Sequence, residues 1–167
     1  MTSRPIYLCL MRHAKSSWSD ASLTDHQRPL NDRGRAAAEL IGGVLSVRGY
    51  APDVIWCSDA KRTRETAMKL IRVIPGAQQV LYNPLFYHAS PQDVFSVCDG
   101  LPAPTQNLML LGHNPGWGEL FTHFSEYDHD FPTAACAVFE AKALPVTNWF
   151  RPHHWKFVDL LLPRPLA

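Results

Sequence analysis

Short apolar runs alternate with longer amphipathic segments along this chain, and several of the runs break off into polar residues. The strongest runs are apolar without alternation, which is typical of strands in a largely parallel sheet that is covered on both faces. From these runs we predict six strands, at residues 6–11, 54–57, 79–82, 108–111, 134–141 and 155–162.

The segments between the strands favour helices. The first begins after a capping Asn31 or Asp32 and ends at Gly49, and Ser58 and Asp59 offer N-caps to the second. We predict four helices, at residues 32–48, 60–74, 92–98 and 117–124. Because strands alternate with helices, we expect a three-layer α/β/α sandwich with a mostly parallel central sheet.

Two stretches do not fit a helix or a strand. Residues 16–30 are polar and mixed, and we expect them to form a loop over the end of the first strand. The Pro163-Arg164-Pro165 tail cannot continue a strand.

Length and charge narrow the class of protein. With 167 residues, the chain is expected to form a single domain over residues 1–167. A net charge of +1 argues against a general nucleic-acid binder or membrane-surface binder. There is no apolar run of transmembrane length and no small-residue cleavage site after the first apolar segment, so we expect a cytoplasmic protein.

The cysteines and histidines do not indicate a metal site. The four cysteines lie far apart without a C-x-x-C pair, and each is expected to be a small buried hydrophobe; they are Cys9, Cys57, Cys98 and Cys136. The histidines show no metal-ligand spacing. We therefore assign no metal and no cofactor.

Cationic residues follow three of the predicted strands. Arg12 and His13 come directly after the first, Arg62 comes shortly after the second, and His113 follows the run at 108–111. Ligands of open α/β sheets bind outside the carboxyl ends of the strands, so these side chains are site candidates. Arginine forks match phosphoryl oxygens, and a neutral imidazole can act as a nucleophile. The pattern therefore predicts phosphoryl-transfer chemistry.

These positions resemble a known family. Residues 10–16 (LMRHAKS) resemble the R-H-G-x-S signature of the histidine phosphatase superfamily, which includes phosphoglycerate mutases and SixA-type phosphohistidine phosphatases. Residues 58–67 and 112–115 resemble its second and third motifs, and the RPLN run at 28–31 is similar to the SixA-type branch. The resemblance implies a phosphoglycerate mutase-like fold.

Site roles follow from the resemblance. It makes His13 the phosphorylated nucleophile, with Arg12, Arg62 and His113 binding the phosphoryl oxygens, and it makes Ser16 a phosphate contact. Ala14 replaces the usual glycine of the signature. Three further residues are candidates for the substrate or phosphate site: Arg28, Asn114 and His88. Arg28 stays open between a substrate-loop residue and a surface charge, and His88 between an acid and a structural residue.

The family's usual proton donor is missing. Members that cleave alkyl phosphate esters place a carboxylic acid, often glutamate, after the third strand, whereas residues 83–92 contain no Asp or Glu. General-acid help is worth about 10² to 10⁴ in rate for a basic leaving group, and neutral imidazole needs far less. The sequence therefore favours a phosphoramidate substrate, although His88, Asp93 or Glu119 could supply an acid after folding.

We predict a metal-independent phosphatase that hydrolyses phosphohistidine on a protein, such as a histidine phosphotransfer protein, through a covalent phosphohistidine on His13. One alternative is a small-molecule phosphomonoesterase or a mutase of the same superfamily. Another is a non-catalytic phosphate-binding interaction module. The presence of His13 together with Arg12, Arg62 and His113 argues against the module.

Overall fold

A six-stranded sheet forms the centre of the computed structural model, which describes residues 4–163. Its strands are β1 (Tyr7–Arg12), β2 (Val54–Ser58), β3 (Gln79–Asn83), β4 (Leu108–Gly112), β5 (Cys136–Ala141) and β6 (Trp155–Leu161). Their order across the sheet is β3-β2-β4-β1-β5-β6. The first four in this order pair in parallel, whereas β5 pairs antiparallel with both of its neighbours, β1 and β6. Arg164 and Pro165 of the predicted tail lie outside the described residues.

The central strands are covered on both faces, which explains their unbroken apolar pattern. In β1, Leu8 and Leu10 point into one hydrophobic core, and Cys9 and Met11 point into a second core on the opposite face. Strands β2 and β4 divide their side chains in the same way.

Four helices cover the two faces: α1 (Asp32–Val47), α2 (Lys61–Val73), α3 (Pro91–Asp99) and α4 (Gly116–Ser125). Helices α1 and α2 bury their apolar sides in the core of Cys9 and Met11, and α3 and α4 in the core of Leu8 and Leu10. This arrangement confirms the predicted α/β/α sandwich. Within residues 4–163, none of the helices is long and apolar enough to cross a membrane.

The helix starts differ in how they are capped. The Asn31 side chain caps α1 by accepting from the Gly34 amide at 2.8 Å, as expected. The predicted side-chain cap of α2 is wrong, because its N-cap residue is Ala60. Ser58 and Asp59 bind elsewhere, Ser58 to His113 and Asp59 to His26, so neither side chain caps the helix.

The cysteines are free thiols in the interior. All four are buried and none forms a disulfide, as their spacing predicted. Burial raises the pKa of the Cys98 thiol to about 12, so it stays protonated and behaves as an apolar side chain.

Candidate active site

Two histidines and a serine meet where three neighbouring parallel strands end. His13 follows β1, His113 follows β4, and Ser58 is the last residue of β2. The His13 amide donates to the Gly112 carbonyl at 3.0 Å, which continues the β1–β4 pairing into the site. The two imidazole centroids are 5.2 Å apart, and Ser58 Oγ lies 2.7 Å from His113 Nε2. Strand order therefore brings together residues that are far apart in the sequence.

His13 is held as a neutral imidazole with a defined tautomer. Its Nδ1 lies 2.6 Å from the Ala14 carbonyl oxygen, which can only accept, so Nδ1 carries the proton and Nε2 keeps its lone pair. The ring is buried, and this burial, with the charges of Arg62, Arg12 and Arg28, lowers the pKa of His13 to about 3 despite the opposing hydrogen bond to Ala14. The free Nε2 is thus available as a nucleophile near neutral pH.

His113 is a second buried neutral imidazole. Burial, followed by the charges of its neighbours, lowers the pKa of His113. Ser58 Oγ accepts from the Ala60 amide at 3.3 Å, and its hydroxyl can donate to His113 Nε2 at 2.7 Å. In that arrangement His113 Nδ1 carries a proton, and this atom is buried without a partner. His113 thus offers a free hydrogen-bond donor.

The arginines add two more unpartnered donors. Arg12 Nη1 donates to the Phe131 carbonyl at 3.3 Å, but its Nε is buried and free, as is the Nε of Arg62. Among the described residues, four buried side-chain nitrogens lack a partner, and three of them belong to Arg12, Arg62 and His113. A buried unsatisfied donor costs about 1–3 kcal/mol. A phosphoryl group has the charge and the acceptor oxygens that would satisfy these donors.

A carboxylate that the sequence analysis missed lies beside these donors. Asp25 Oδ1 accepts from Arg28 Nε at 3.2 Å and Nη2 at 2.7 Å. Its Oδ2 accepts from Arg62 Nη2 at 3.0 Å and from the Tyr87 hydroxyl, and its backbone carbonyl accepts from Arg62 Nη1 at 2.7 Å. One residue therefore links two arginines and the loop that follows β3.

The protonation state of Asp25 follows from these contacts. Partial burial raises the pKa of its carboxyl, but the hydrogen bonds from Tyr87, Arg28 and Arg62 outweigh this effect and hold the pKa well below its usual range. The sequence offered one weak signal, an acidic residue three positions before Arg28 in the polar loop. The family resemblance implies an acid after the third strand, whereas Asp25 lies in the loop between β1 and α1.

Arg28 and Ser16 lie together next to Asp25. Arg28 is 8% exposed, which rules out the alternative of a surface charge. Its Nη1 donates to Ser16 Oγ at 2.8 Å, and its guanidinium carbon lies 3.5 Å from the centroid of the Trp18 ring. Because the Ser16 oxygen accepts this bond, its hydroxyl proton is free to donate to a ligand.

The Asn114 side chain is bound inside the fold. Its Nδ2 donates to the Phe131 carbonyl at 2.8 Å, and its Oδ1 accepts from the Gly118 amide at 3.0 Å. These bonds fix the loop that carries His113. The Asn114 amide therefore stabilises this loop and is not one of the unpartnered donors of the site.

His88 lies at the rim of the site. Its side chain is 65% exposed, its Nε2 is 3.9 Å from Asp25 Oδ2, and its ring centroid is 6.4 Å from that of His113.

The two other acid candidates have different surroundings. Asp93 forms a capping box at the start of α3, where its carboxylate accepts from the Ser90 amide at 2.9 Å. Glu119 is exposed in the first turn of α4 and lines an open surface cavity with Asn114 and Phe131. The structure does not bring either carboxylate to the histidine pair.

The described part of the chain, residues 4–163, contains no group of three or more His, Cys, Asp or Glu side chains placed to hold a metal ion. The site itself combines the neutral imidazole of His13 with unpartnered nitrogens of Arg12, Arg62 and His113.

Comparisons with known proteins give consistent results. Residues 8–82 match the model of the histidine phosphatase superfamily (branch 1). An uncharacterized chloroplastic protein of Arabidopsis thaliana is 33% identical over 168 residues, which cover 93% of this chain and 77% of that protein. The crystal structure of a candidate phosphohistidine phosphatase SixA from Agrobacterium tumefaciens is 30% identical, with a TM-score of 0.79 over 96% of this chain and 100% of that one. The structure of a candidate phosphohistidine phosphatase SixA from Nakamurella multipartitia, at 24% identity, shares the fold with a TM-score of 0.76 over 96% of this chain and 98% of that one.

Proposed function

Since the chain belongs to the histidine phosphatase superfamily, we propose that it is a phosphatase that hydrolyses phosphohistidine on a protein substrate. The observation that carries this proposal is the tautomer of His13, whose Nδ1 is bound to the Ala14 carbonyl at 2.6 Å while Nε2 is free. The proposal assigns phosphate binding to the unpartnered donors of Arg12, Arg62 and His113.

The reaction has two steps with His13 as the covalent carrier. First, His13 Nε2 attacks phosphorus and the P–N bond to the substrate imidazole breaks. The electron pair returns to that nitrogen, and a solvent proton on the far ring nitrogen lets the group leave as neutral imidazole. Second, a water oxygen attacks the phosphorus of phospho-His13, and the electron pair of the breaking P–N bond returns to Nε2. Both water protons go to inorganic phosphate or to solvent.

The Ala14 contact favours both steps. Before the reaction it directs the lone pair to Nε2. After phosphoryl transfer the Nδ1 proton remains, so the intermediate is a cationic phosphoimidazolium stabilised by the carbonyl. His13 then departs from phosphorus as a neutral ring and needs no separate proton donor.

The state of the carboxylates supports an imidazole leaving group over an alkoxide. Asp25 is engaged as a hydrogen-bond acceptor, Asp93 caps α3, and Glu119 is exposed in the first turn of α4. An alkoxide without a general acid would leave about 10² to 10⁴ more slowly. The rim residue His88 is the observation that favours the second candidate, a small-molecule phosphomonoesterase or mutase, because it could protonate an ester oxygen.

The mouth of the site supports a protein substrate. Trp18 is 77% exposed although it stacks on Arg28, so a large aromatic face is open to solvent directly beside an arginine of the site. Aromatic side chains are enriched at protein–protein contacts. A protein partner of this kind would present its phosphohistidine to the pocket.

The test compares phosphate release from a phosphohistidine protein, a phosphoserine peptide and a phosphoglycerate, with a chelator present. We expect the phosphohistidine protein to be hydrolysed fastest and the His13→Ala variant to form no acid-labile phosphoenzyme. The matched control is His129→Ala, which removes an exposed histidine outside the site. Faster ester hydrolysis, or transfer of phosphate between phosphoglycerates, would contradict the proposal in favour of the second candidate. Phosphate binding without turnover would indicate the interaction module.

A further inference from the structure

We propose that Asp25 is the positioning residue of this site: it fixes the direction of the Arg62 guanidinium so that Nε is directed at the phosphoryl group, and it does not act as a proton donor. This inference rests on the proposed function only in that a phosphoryl group enters the pocket.

Asp25 binds both terminal nitrogens of the Arg62 guanidinium. Its Nη1 donates to the Asp25 carbonyl at 2.7 Å and its Nη2 to Asp25 Oδ2 at 3.0 Å. Both bonds end on the same residue and fix the plane of the guanidinium, as in a bidentate pair. The remaining nitrogen, Nε, is buried without a partner, and Arg62 is only 4% exposed. Asp25 therefore binds both terminal nitrogens of the guanidinium, and Nε is the nitrogen left without a partner.

The Asp25 carboxylate also balances the charges of two arginines. Arg62 and Arg28 are both buried, and the Asp25 carboxylate lies between them at 3.0 Å and 2.7 Å. Two buried guanidinium groups without an anion would repel each other and would lose favourable solvation. The carboxylate allows both to stay in the site before a phosphoryl group arrives.

Asp25 is itself held from two directions. The Tyr87 hydroxyl, from the loop that follows β3, donates to Oδ2. The residue also begins a short 3-10 helix (Asp25–Gln27), whose first turn is closed by the Gln27 amide donating to the Thr24 carbonyl at 3.0 Å. These contacts fix the position of Asp25, and Asp25 in turn fixes the Arg62 guanidinium.

The same contacts exclude Asp25 as the acid. Nitrogens of Arg28 and Arg62 and the Tyr87 hydroxyl all donate to its two oxygens. A protonated carboxyl would have to give up at least one of these bonds, because each oxygen accepts through a limited number of lone pairs. Asp25 thus acts on catalysis through Arg62, and its effect should not depend on how basic the leaving group is.

The experiment uses Asp25→Asn with Asp20→Asn as the matched control, since Asp20 lies in the same loop and is exposed. Each protein is assayed with p-nitrophenyl phosphate, a phosphoserine peptide and a phosphohistidine protein, and inhibition by inorganic phosphate is measured in parallel. An asparagine amide at this position has an NH₂ group in place of one carboxylate oxygen. Because this group and the guanidinium are both donors, the bond that holds Arg62 is lost. We expect kcat to fall by about 10- to 100-fold on every substrate that wild type hydrolyses.

Inhibition by phosphate provides the readout that a merely structural role would not give. Because one negative charge is removed from beside the anion, phosphate should inhibit Asp25→Asn at least as strongly as wild type. A loss confined to the phosphoserine peptide would overturn the inference and make Asp25 a general acid. Weaker phosphate inhibition together with a lower melting temperature would also overturn it, since the loop would then have a folding role only.

Tyr87→Phe gives a second, milder test, because it removes one donor to Asp25 and keeps the carboxylate. We expect a smaller loss of kcat, equal across the substrates, and an unchanged value would contradict the inference. Failure of the proposed function is read separately, from the substrate preference of the wild-type enzyme. The role of Asp25 is read from the variant-to-wild-type ratio on p-nitrophenyl phosphate.

Discussion

The imidazole rings of His13 and His113 lie 5.2 Å apart, each one residue beyond the end of one of two paired parallel strands. The pairing of Arg12 with Gly112 sets this distance, because the strands end at the same level. Both rings are buried near arginines, and both are kept neutral. One presents a lone pair and the other a hydrogen-bond donor, which are complementary roles toward a phosphoryl group.

The stability of the protein should fall in mild acid because of this pair. Burial lowers the pKa of His13 to about 3, whereas an unfolded histidine titrates at about 6.5. Between these values the unfolded state binds a proton that the folded state does not, so the free energy of unfolding decreases as pH falls. Each buried histidine contributes at most about 1.4 kcal/mol per pH unit. Urea unfolding of wild type between pH 7 and pH 4 measures the slope.

The His13→Gln variant isolates the contribution of one ring. Its unfolding free energy should depend less steeply on pH than that of wild type over the same interval. His129→Gln, at an exposed position, should leave the slope unchanged. An identical slope in His13→Gln and wild type would mean that His13 does not resist protonation in the folded state.

Arg62 and Arg64 lie two residues apart in α2 but should respond very differently to replacement by lysine. Arg62 is buried with its Nε free, whereas Arg64 is exposed, donates to the Asp59 carbonyl at 2.7 Å and stacks on Tyr82. Lysine lacks the planar fork that binds both Asp25 and a phosphoryl oxygen. We expect Arg62→Lys to lower kcat/KM by about 100-fold or more. Arg64→Lys should stay within about twofold of wild type, since surface substitutions have small effects; comparable losses would refute the assignment.

Ser58 orients His113 and should matter for turnover. Its hydroxyl is buried and lies 2.7 Å from His113 Nε2, so Ser58→Ala leaves that nitrogen without its partner and the tautomer undefined. We expect kcat to fall by about tenfold, which corresponds to a hydrogen bond of about 1.4 kcal/mol. Steady-state kinetics with p-nitrophenyl phosphate measures the effect. Ser96→Ala, at an exposed position of α3, is the control. If kcat were unchanged in Ser58→Ala as well as in Ser96→Ala, His113 would not need Ser58 as its partner.

Two glycines of α1 should give opposite changes in stability when replaced by alanine. A Cβ at Gly34 would lie 2.1 Å from the Lys15 carbonyl oxygen, two residues after His13, whereas a Cβ at Gly43 would meet nothing within 4 Å. Gly34→Ala should therefore cost about 1–3 kcal/mol through overpacking against backbone and should displace the His13 loop. Gly43→Ala should stabilise the helix by up to about 1 kcal/mol. Thermal melting compares the two, and a stabilised Gly34→Ala would show that the loop moves freely.

The catalytic candidates were accessible from sequence because their positions are tied to strand ends. The apolar runs placed Arg12 and His13 after β1 and His113 after β4, and the motif at residues 58–67 contains Arg62. The residues that connect these groups were not accessible in the same way. Asp25 lies in a loop without periodicity, and its partner Tyr87 is 62 residues away in the chain.

The local sequence was also misleading where tertiary contacts competed for a side chain. Ser58 and Asp59 have the chemistry of helix caps, yet the folded protein binds them to His113 and His26. Asn114 lies next to a catalytic candidate, yet its amide holds the loop through Phe131 and Gly118. A polar side chain near several partners binds according to geometry that its neighbours in sequence do not reveal.

The sequence by itself determined the alternation of strands and helices, the burial of the central strands, and the positions of the candidates Arg12, His13, Arg62 and His113 near strand ends. It could do so because hydrophobic periodicity and short motifs are local properties of the chain. Only the tertiary structure decided the tautomer of His13 and the contacts that Arg62 and Tyr87 make with Asp25. These depend on hydrogen bonds between segments that become neighbours only when parallel strands pair and loops close over their ends.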